Sequence, residues 1–323
     1  MNKNIIGIDI GGTTVKIGMI TNNGEIIDKW EIPTNTTNSG KSIIGDVWTS
    51  IERKLAVTNM KKTTILGIGI GAPGFIDGES GFVYEAVNIG WKEYNLAVEL
   101  TGRSNLPVFL ENDANIAALG ENWKGAGNQA RNLFAITLGT GVGGGIIANG
   151  EILNGDNGMA GEIGHITLDP NGLPCNCGRR GCLETVASAT GIVRQAMDAI
   201  EHGASNSLLN HYRDNGRVSA EDIFKLAGNG DSTCKKIIKN TANALGLIIA
   251  NMGTIINPSK VLIGGGVSKA GEQLRLEIEH AFQDYALPRV KSICEIKIAK
   301  LGNDAGIIGG AYLVKQKTQD VKF

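Results

Sequence analysis

Several features are scarce in this sequence of 323 residues, and each scarcity argues against a class of protein. Lys and Arg total 31 against 32 for Asp and Glu, so no charge excess would draw the chain to nucleic acid or to an anionic membrane. No apolar run reaches the length that spans a bilayer. The N-terminus also lacks the apolar core and small-residue cleavage site of a signal peptide, so we expect a cytoplasmic protein with no membrane partner.

Cysteine and proline are also sparse, with 5 and 7 residues. The cysteine count is odd, and three of the five lie between positions 175 and 182, which is not the pattern of a secreted disulfide framework. Such clustering favours a metal site in a reducing compartment. Glycine, in contrast, is abundant at 46 residues, and it suits an enzyme whose backbone turns tightly around a ligand.

Short apolar strands alternate with amphipathic helices along the chain, which predicts an α/β protein. We expect strands at 5–10, 65–70, 108–110, 133–138, 261–263 and 296–298. We expect helices at 41–60, from about 114, at 186–202, at 234–252 and at 305–315, the last with Asp304 as its cap.

One pattern occurs twice. A strand at 5–10, a glycine turn and a returning strand at 15–20 are repeated at 133–138, 139–141 and 144–148, roughly 130 residues later. The repeat indicates two related α/β halves. The alternative is that any two glycine-turn hairpins look alike.

The first glycine turn carries the first candidate site, Asp9-Ile-Gly-Gly-Thr-Thr14. A carboxylate at the end of a buried strand is costly unless it serves a ligand, and glycine amides in a turn form an anion nest. We therefore predict a phosphate site in which Asp9 faces Mg²⁺. The Gly-Lys-Ser/Thr ending of a Walker loop is absent, and a plain hairpin turn is the alternative.

The second candidate site is Glu111-Asn112-Asp113, between a buried strand and a helix. Ligands of open α/β sheets collect at such junctions. Asp113 is placed to accept a hydroxyl proton, and Asn112 to bind neighbouring hydroxyls. Asn and Asp are also ordinary helix caps, and taken alone the motif fits a cap better.

The third candidate site is the most specific local signal. His165, Cys175, Cys177 and Cys182 lie within 18 residues and match a closed, structural Cys₃His zinc site, with free thiols as the alternative. Two carboxylates, Glu162 and Glu184, flank the cluster. They could bind sugar hydroxyls, and solvent-exposed charges are the alternative.

Taken together, these motifs resemble the ROK family (repressors, open reading frames, kinases) over nearly the whole chain. The resemblance rests on Asp9-x-Gly-Gly-Thr, Glu111-Asn-Asp113, Leu138-Gly-Thr-Gly-Val-Gly-Gly-Gly145, Gly161-Glu-x-Gly-His165 and Cys175-x-Cys-Gly-x-x-Gly-Cys-x-Glu184. Within the family, the segments 87–91 and 111–121 are most similar to glucokinases of Gram-positive bacteria.

The resemblance implies an actin-like ATPase (ribonuclease H-like) fold in which two α/β domains enclose a cleft. The small domain would hold residues 1–113 and 304–323, and the large domain residues 114–303 with the zinc loop. It implies Asp113 as general base. The implied sugar contacts are Asn112, Asp113, Glu162, His165 and Glu184, and the implied nucleotide contacts are Asp9, Gly11, Gly12, Thr13, Thr140, Gly141, Gly264, Gly265 and Gly266.

The implied activity is phosphorylation of glucose by ATP with Mg²⁺, and the family is compatible with a homodimer. Two alternatives stay open. One is another hexose kinase, for fructose or an N-acylmannosamine. The other is a sugar-sensing repressor, disfavoured because Asp9 lies too close to the first residue to leave room for a DNA-binding domain.

Overall fold

The computed structural model describes residues 3–203 and 205–319. The strands are β1 Asn4–Ile10, β2 Thr14–Thr21, β3 Ile26–Pro33, β4 Ile65–Ala72, β5 Phe75–Asp77, β6 Phe82–Ala86, β7 Trp91–Tyr94, β8 Val108–Asn112, β9 Leu133–Leu138, β10 Val142–Ala148, β11 Glu151–Ile152, β12 Lys260–Gly264 and β13 Glu295–Ile298. The helices are α1 Ile43–Val57, α2 Leu96–Ser104, α3 Asp113–Lys124, α4 Glu184–Ala187, α5 Ala189–Glu201, α6 Asn206–Asn215, α7 Ala220–Gly228, α8 Ser232–Ile256, α9 Glu272–Tyr285, α10 Pro288–Lys291 and α11 Ala305–Gln319.

Two five-stranded sheets of the same design form the two halves of the molecule. Their orders are β3-β2-β1-β4-β8 and β11-β10-β9-β12-β13. In the first sheet β1, β2 and β3 pair antiparallel, and β4 and β8 run parallel to the central strand β1. In the second sheet β9, β10 and β11 pair antiparallel, and β12 and β13 run parallel to the central strand β9. The duplication predicted from the two glycine turns is therefore confirmed at the level of topology. A small antiparallel sheet, β5-β6-β7, extends the first half.

Burial explains why these segments are strands. β1 and β4 are buried along almost their whole length, as expected of strands covered on both faces. The edge strand β3 instead alternates between partly buried and exposed residues.

Helices α3 and α11 cross where the two halves meet, and glycine lets their backbones touch. A Cβ on Gly309 would lie 1.8 Å from the Ile116 carbonyl oxygen, and one on Gly120 would lie 2.1 Å from that of Ala305. α11 also packs on β4, where a Cβ on Gly69 would lie 1.9 Å from the Gly310 oxygen. The small-residue face of the last helix is therefore what ties it to both α3 and the first sheet.

Two local predictions need correction or extension. The helix predicted at 186–202 is two helices, because Ser188 is extended and its Oγ caps α5 by accepting the Gly191 N–H at 2.9 Å. The last helix runs past residue 315 to Gln319, and the Asp304 carboxylate just before it pairs with Lys29 Nζ at 2.8 Å.

The proposed domain boundaries remain a prediction. The first sheet is built from residues 4–112 and the second from residues 133–298, while residues 1–2 and 320–323 of the predicted small domain lie outside the described residues. None of the helices in the described part of the chain is both long and apolar enough to cross a membrane.

We expect Gly309→Ala to destabilise the protein by about 1–3 kcal/mol, the usual cost of overpacking, because the new Cβ meets backbone that cannot move aside. Gly102→Ala is the matched control, since it adds a Cβ to α2 with no heavy atom within 4 Å. That control should be neutral or stabilising by up to about 1 kcal/mol. Unfolding midpoints followed by circular dichroism test this, and equal midpoints for both variants would contradict the helix-crossing argument.

Candidate active site

A cleft of about 480 Å³ lies between the two halves, near the carboxyl ends of the central strands. Asp9 is the second-last residue of β1, Asp113 opens α3 directly after β8, and Gly264–Gly266 lie at the end of β12. The structure therefore brings both predicted carboxylates to one cavity with Gly264–Gly266, whereas the predicted Thr140 and Gly141 do not line it. This is the edge where ligands of α/β sheets bind.

Asp9 shares the cleft with a cation that the sequence analysis missed. Lys16 Nζ lies 3.7 Å from Asp9 Oδ2. Exclusion of water raises the pKa of the Asp9 carboxyl, and Lys16 opposes that rise. Hairpin register was the available signal, because Asp9 and Lys16 are directly opposite each other in the β1–β2 pair.

The glycine turn between β1 and β2 is held by its own hydrogen bonds. The Gly11 N–H donates to the Thr14 oxygen at 3.0 Å, and the Thr34 side chain donates to the Gly11 oxygen at 2.7 Å. Because the Gly11 amide is used within the turn, a phosphate here would have to meet the amides of Gly12 and Thr13.

Asp113 has the environment of a base. The cleft walls exclude much of the bulk water around its carboxyl, and together with the Asp9 carboxylate they raise its pKa to about 6, with Glu162 adding a smaller rise. The Ala114 N–H, which donates to Oδ1 at 2.8 Å, partly opposes this. The side chain remains accessible from the cleft. A carboxylate with this pKa is an effective proton acceptor near neutral pH.

Asn112 is the N-cap of α3, and Asp113 is the first residue of the helix. The sequence motif therefore contains a helix cap, but the cap is Asn112 and not Asp113. Its Oδ1 accepts the Ala114 N–H at 2.9 Å, and its Nδ2 donates to the Gly74 oxygen at 3.1 Å. A side-chain amide has two hydrogens and two lone pairs, so one of each remains for a ligand hydroxyl.

The four predicted zinc ligands converge on one point. Cys177 and Cys182 place their sulfurs 3.7 Å apart, Cys175 Sγ lies 3.6 Å from His165 Nδ1, and all four ligand atoms lie within 4.8 Å of one another. A tetrahedron with Zn–S bonds of about 2.3 Å has edges of about 3.8 Å, so the set fits Zn²⁺. With four protein ligands the site is closed, and ligation through Nδ1 would leave the His165 Nε2 free to donate a hydrogen bond.

Glu184 connects this cluster to the second glycine turn. Its Oε1 lies 3.4 Å from Cys175 Sγ, and its Oε2 accepts the Val142 N–H at 3.3 Å. Thr140 and Gly141 line a cavity of about 250 Å³ together with Glu184. The predicted sugar ligand and the predicted phosphate turn are therefore in direct contact.

A third cavity, of about 870 Å³, extends from Thr140 and Gly266 to helix α7. Its wall includes Phe224 and Lys225, which the sequence analysis did not single out because α7 carries no motif. An apolar cavity beside two glycine turns has the character of a small-molecule subsite.

A doubled α/β fold with a carboxylate-lined cleft between its halves agrees with the actin-like fold class predicted from the sequence. The ROK family profile matches residues 5–317, and the chain belongs to the ROK family.

Known relatives agree with this assignment. A glucokinase of Halalkalibacterium halodurans is 51% identical over 318 residues, which cover 98% of this chain and 96% of the relative. A glucokinase of Thermotoga maritima is 38% identical, with coverage of 97% and 98%. A ROK family glucokinase from Streptomyces griseus, solved with glucose and AMPPNP, superposes with a TM-score of 0.77 at 31% identity and covers 97% of this chain and 99% of its own.

Proposed function

We propose that this protein transfers the γ-phosphoryl group of ATP to the C6 hydroxyl of glucose. The observation that carries the proposal is Asp113, a carboxylate with a pKa of about 6 that shares one cleft with Asp9, Lys16 and the glycines of the second half. The glucokinase relatives and the Streptomyces griseus complex support glucose and ATP as the substrates.

Asp113 takes the proton of the attacking hydroxyl. Phosphoryl transfer has a loose transition state, so most of the rate comes from positioning and charge neutralisation. Lys16 places a positive charge at the phosphate end of the cleft. Asp9 would hold Mg²⁺, which when bound neutralises phosphate charge. Helices α3 and α11 cross between the two halves. The halves would close about this crossing and exclude water from the cleft.

The sugar would lie between Asp113 and the Cys/His cluster. Asn112 offers one N–H and one lone pair, and Glu162 is close enough to affect the pKa of Asp113. His165 would bind Zn²⁺ through Nδ1 and donate from Nε2 to a hydroxyl. The ion would be structural, because it fixes the His165 ring and the loop that ends at Glu184.

Location and assembly remain predictions: a cytoplasmic protein, from cysteine usage, and a homodimer, from the family. Fructose and an N-acylmannosamine remain alternative acceptors, since pocket shape decides among hexoses. A coupled assay of ADP release with glucose, fructose and N-acetylmannosamine, each with and without Mg²⁺, tests the proposal. We expect glucose to have the highest kcat/KM and the reaction to need Mg²⁺. A higher kcat/KM for another hexose would replace glucose as the substrate.

We expect Glu184→Ala to raise the KM for glucose about tenfold or more, because a charge-assisted hydrogen bond is worth roughly 1.5–3 kcal/mol. The KM for ATP should change far less, although Glu184 also holds the Val142 amide. Steady-state kinetics with each substrate varied in turn measure both constants. Glu201→Ala, which removes an exposed carboxylate at the end of α5, is the control. A change in the KM for ATP alone would show that Glu184 does not bind the sugar.

A further inference from the structure

Glu111 is a buried carboxylate two residues before the proposed base. It is 5% exposed and accepts three hydrogen bonds. Its Oε1 accepts the Asn112 N–H at 2.8 Å and Asn115 Nδ2 at 3.0 Å, and its Oε2 accepts Asn154 Nδ2 at 2.9 Å. Lysine, arginine and histidine form no ion pair with it in the described part of the chain, so amide donors alone stabilise the charge.

The donors come from two separate segments of the chain. Asn112 and Asn115 belong to the β8–α3 junction that carries Asp113, whereas Asn154 lies after β11, in the segment that leads to Glu162. Asn115 Nδ2 also donates to Asn154 Oδ1 at 3.2 Å, so the three side chains form a closed triangle. Glu111 therefore links the proposed base to the segment that carries the proposed sugar ligands.

The triangle is built tightly. Asn115 is 3% exposed and its Oδ1 is buried without a hydrogen-bond partner, so the two hydrogen bonds that its Nδ2 donates set the orientation of the amide. The turn after β5 closes over the pair, because a Cβ on Gly78 would lie 2.9 Å from Glu111 Oε2 and 3.3 Å from Asn154 Nδ2. A side chain at position 78 would therefore have to displace Glu111 from this contact.

The link continues from Asn154 toward Glu162 through the backbone. The Asn154 oxygen accepts the Ala160 N–H at 3.1 Å and closes the loop between them. The Glu162 oxygen in turn accepts the His165 N–H at 3.1 Å. Movement of Asn154 would thus be transmitted to Glu162 and to His165.

We propose that Glu111 is a positioning residue, which touches no substrate and fixes Glu162 and His165 relative to Asp113. The inference rests on the proposed sugar-kinase function. If these hydrogen bonds were lost, the acceptor hydroxyl could move away from Asp113 while the nucleotide side of the cleft stayed in place. Small misplacement of reacting groups lowers the rate strongly.

A reciprocal exchange tests this. In Glu111→Gln, the new N–H₂ group faces the Asn154 N–H₂ group, so the link is broken. In the double variant Glu111→Gln, Asn154→Asp, donor and acceptor are exchanged across the same contact, and every hydrogen bond of the triangle can form again. Net charge is the same as in the wild type. Asn154→Ala removes the link without altering Glu111, and Asn210→Ala on the exposed face of α6 is the control for an asparagine loss.

We expect Glu111→Gln and Asn154→Ala each to lower kcat/KM for glucose about tenfold or more, the scale of one lost hydrogen bond to a charged group, with the KM for ATP within about threefold of the wild type. The double variant should recover to within about threefold of the wild type. Circular dichroism and zinc content confirm that each variant is folded. Should Glu111→Gln fail to fold, Asn154→Ala still decides.

Three outcomes separate this inference from the proposed function. A wild-type protein inactive toward every hexose would overturn both. If the wild type is active, an unchanged kcat/KM for glucose in Asn154→Ala would overturn the positioning role alone. A folded double variant whose kcat/KM for glucose is no higher than that of Glu111→Gln would do the same.

Discussion

Asp113→Asn is expected to lower kcat by at least about 10²-fold, the scale of general acid–base catalysis, while the protein remains folded with the same zinc content as the wild type. Asparagine has the shape of aspartate and can still accept the Ala114 N–H through its oxygen. It cannot take a proton from the attacking hydroxyl. Single-turnover measurement of phosphoryl transfer at saturating glucose and ATP would isolate the chemical step.

The pH profile provides an independent test of the same residue. The base must be ionised to act, and its pKa is raised to about 6 in the folded protein. kcat/KM for glucose, which reports the free enzyme, should therefore be constant above that pH and fall as pH decreases through about 6, reaching about a tenth at pH 5.

The unfolding temperature of Asp113→Asn shows whether a loss of activity comes from unfolding. The raised pKa means that the ionised carboxylate is less stable in the folded protein than in the unfolded chain. At pH 8 the group is ionised in both states, so its removal should leave the unfolding temperature unchanged or raise it. Near-normal kcat in the folded variant would remove Asp113 from the mechanism.

Loss of the metal is expected to have the second large effect: Cys177→Ser or exhaustive chelation should abolish measurable glucose binding. His165 Nδ1 and the three sulfurs converge within 4.8 Å, so a bound ion would fix the His165 ring and the loop that ends at Glu184. Without it, two proposed sugar ligands lose their positions at once. Isothermal titration of zinc-free protein with glucose measures the effect.

Nucleotide binding separates this effect from general unfolding. Glu184 also accepts the Val142 N–H beside the second glycine turn, so a displaced Glu184 would disturb that turn slightly. We therefore expect the affinity for an ATP analogue to fall, but only by a few-fold. Cys294→Ala, which removes a thiol far from the cluster in sequence, is the control and should bind both ligands normally. Undiminished glucose affinity in folded, zinc-free protein would contradict the coupling. Loss of helical circular dichroism on chelation would instead show that zinc stabilises the fold.

Features with a short-range physical cause were predictable from the sequence. His165, Cys175, Cys177 and Cys182 are close in the chain, so their spacing alone predicts the cluster that the structure shows. The duplicated topology followed from two similar strand–glycine turn–strand patterns. Asp113 became a candidate because strand-to-helix junctions gather ligands, although the motif alone fits a helix cap better. Its role as general base came from the family resemblance and stays a prediction.

Features that depend on distant packing were not predictable. The link from Glu111 to Asn154 joins residues 43 positions apart, and periodicity carries no sign of it. The cavity wall at Phe224 belongs to a helix whose pattern is that of any amphipathic surface helix. The apolar pattern continues through Ser188, so it gives no sign that the helix is interrupted there. The interruption depends on the extended backbone of Ser188, which lets its side chain cap α5.

The most direct test of the central claim is ³¹P nuclear magnetic resonance of the products formed from ATP, Mg²⁺ and glucose. The account predicts that each ATP consumed gives one ADP and one glucose 6-phosphate, and that Asp113→Asn at equal concentration gives neither at a comparable rate. Release of inorganic phosphate in place of the sugar phosphate, or glucose 6-phosphate formed equally fast by Asp113→Asn, would contradict it.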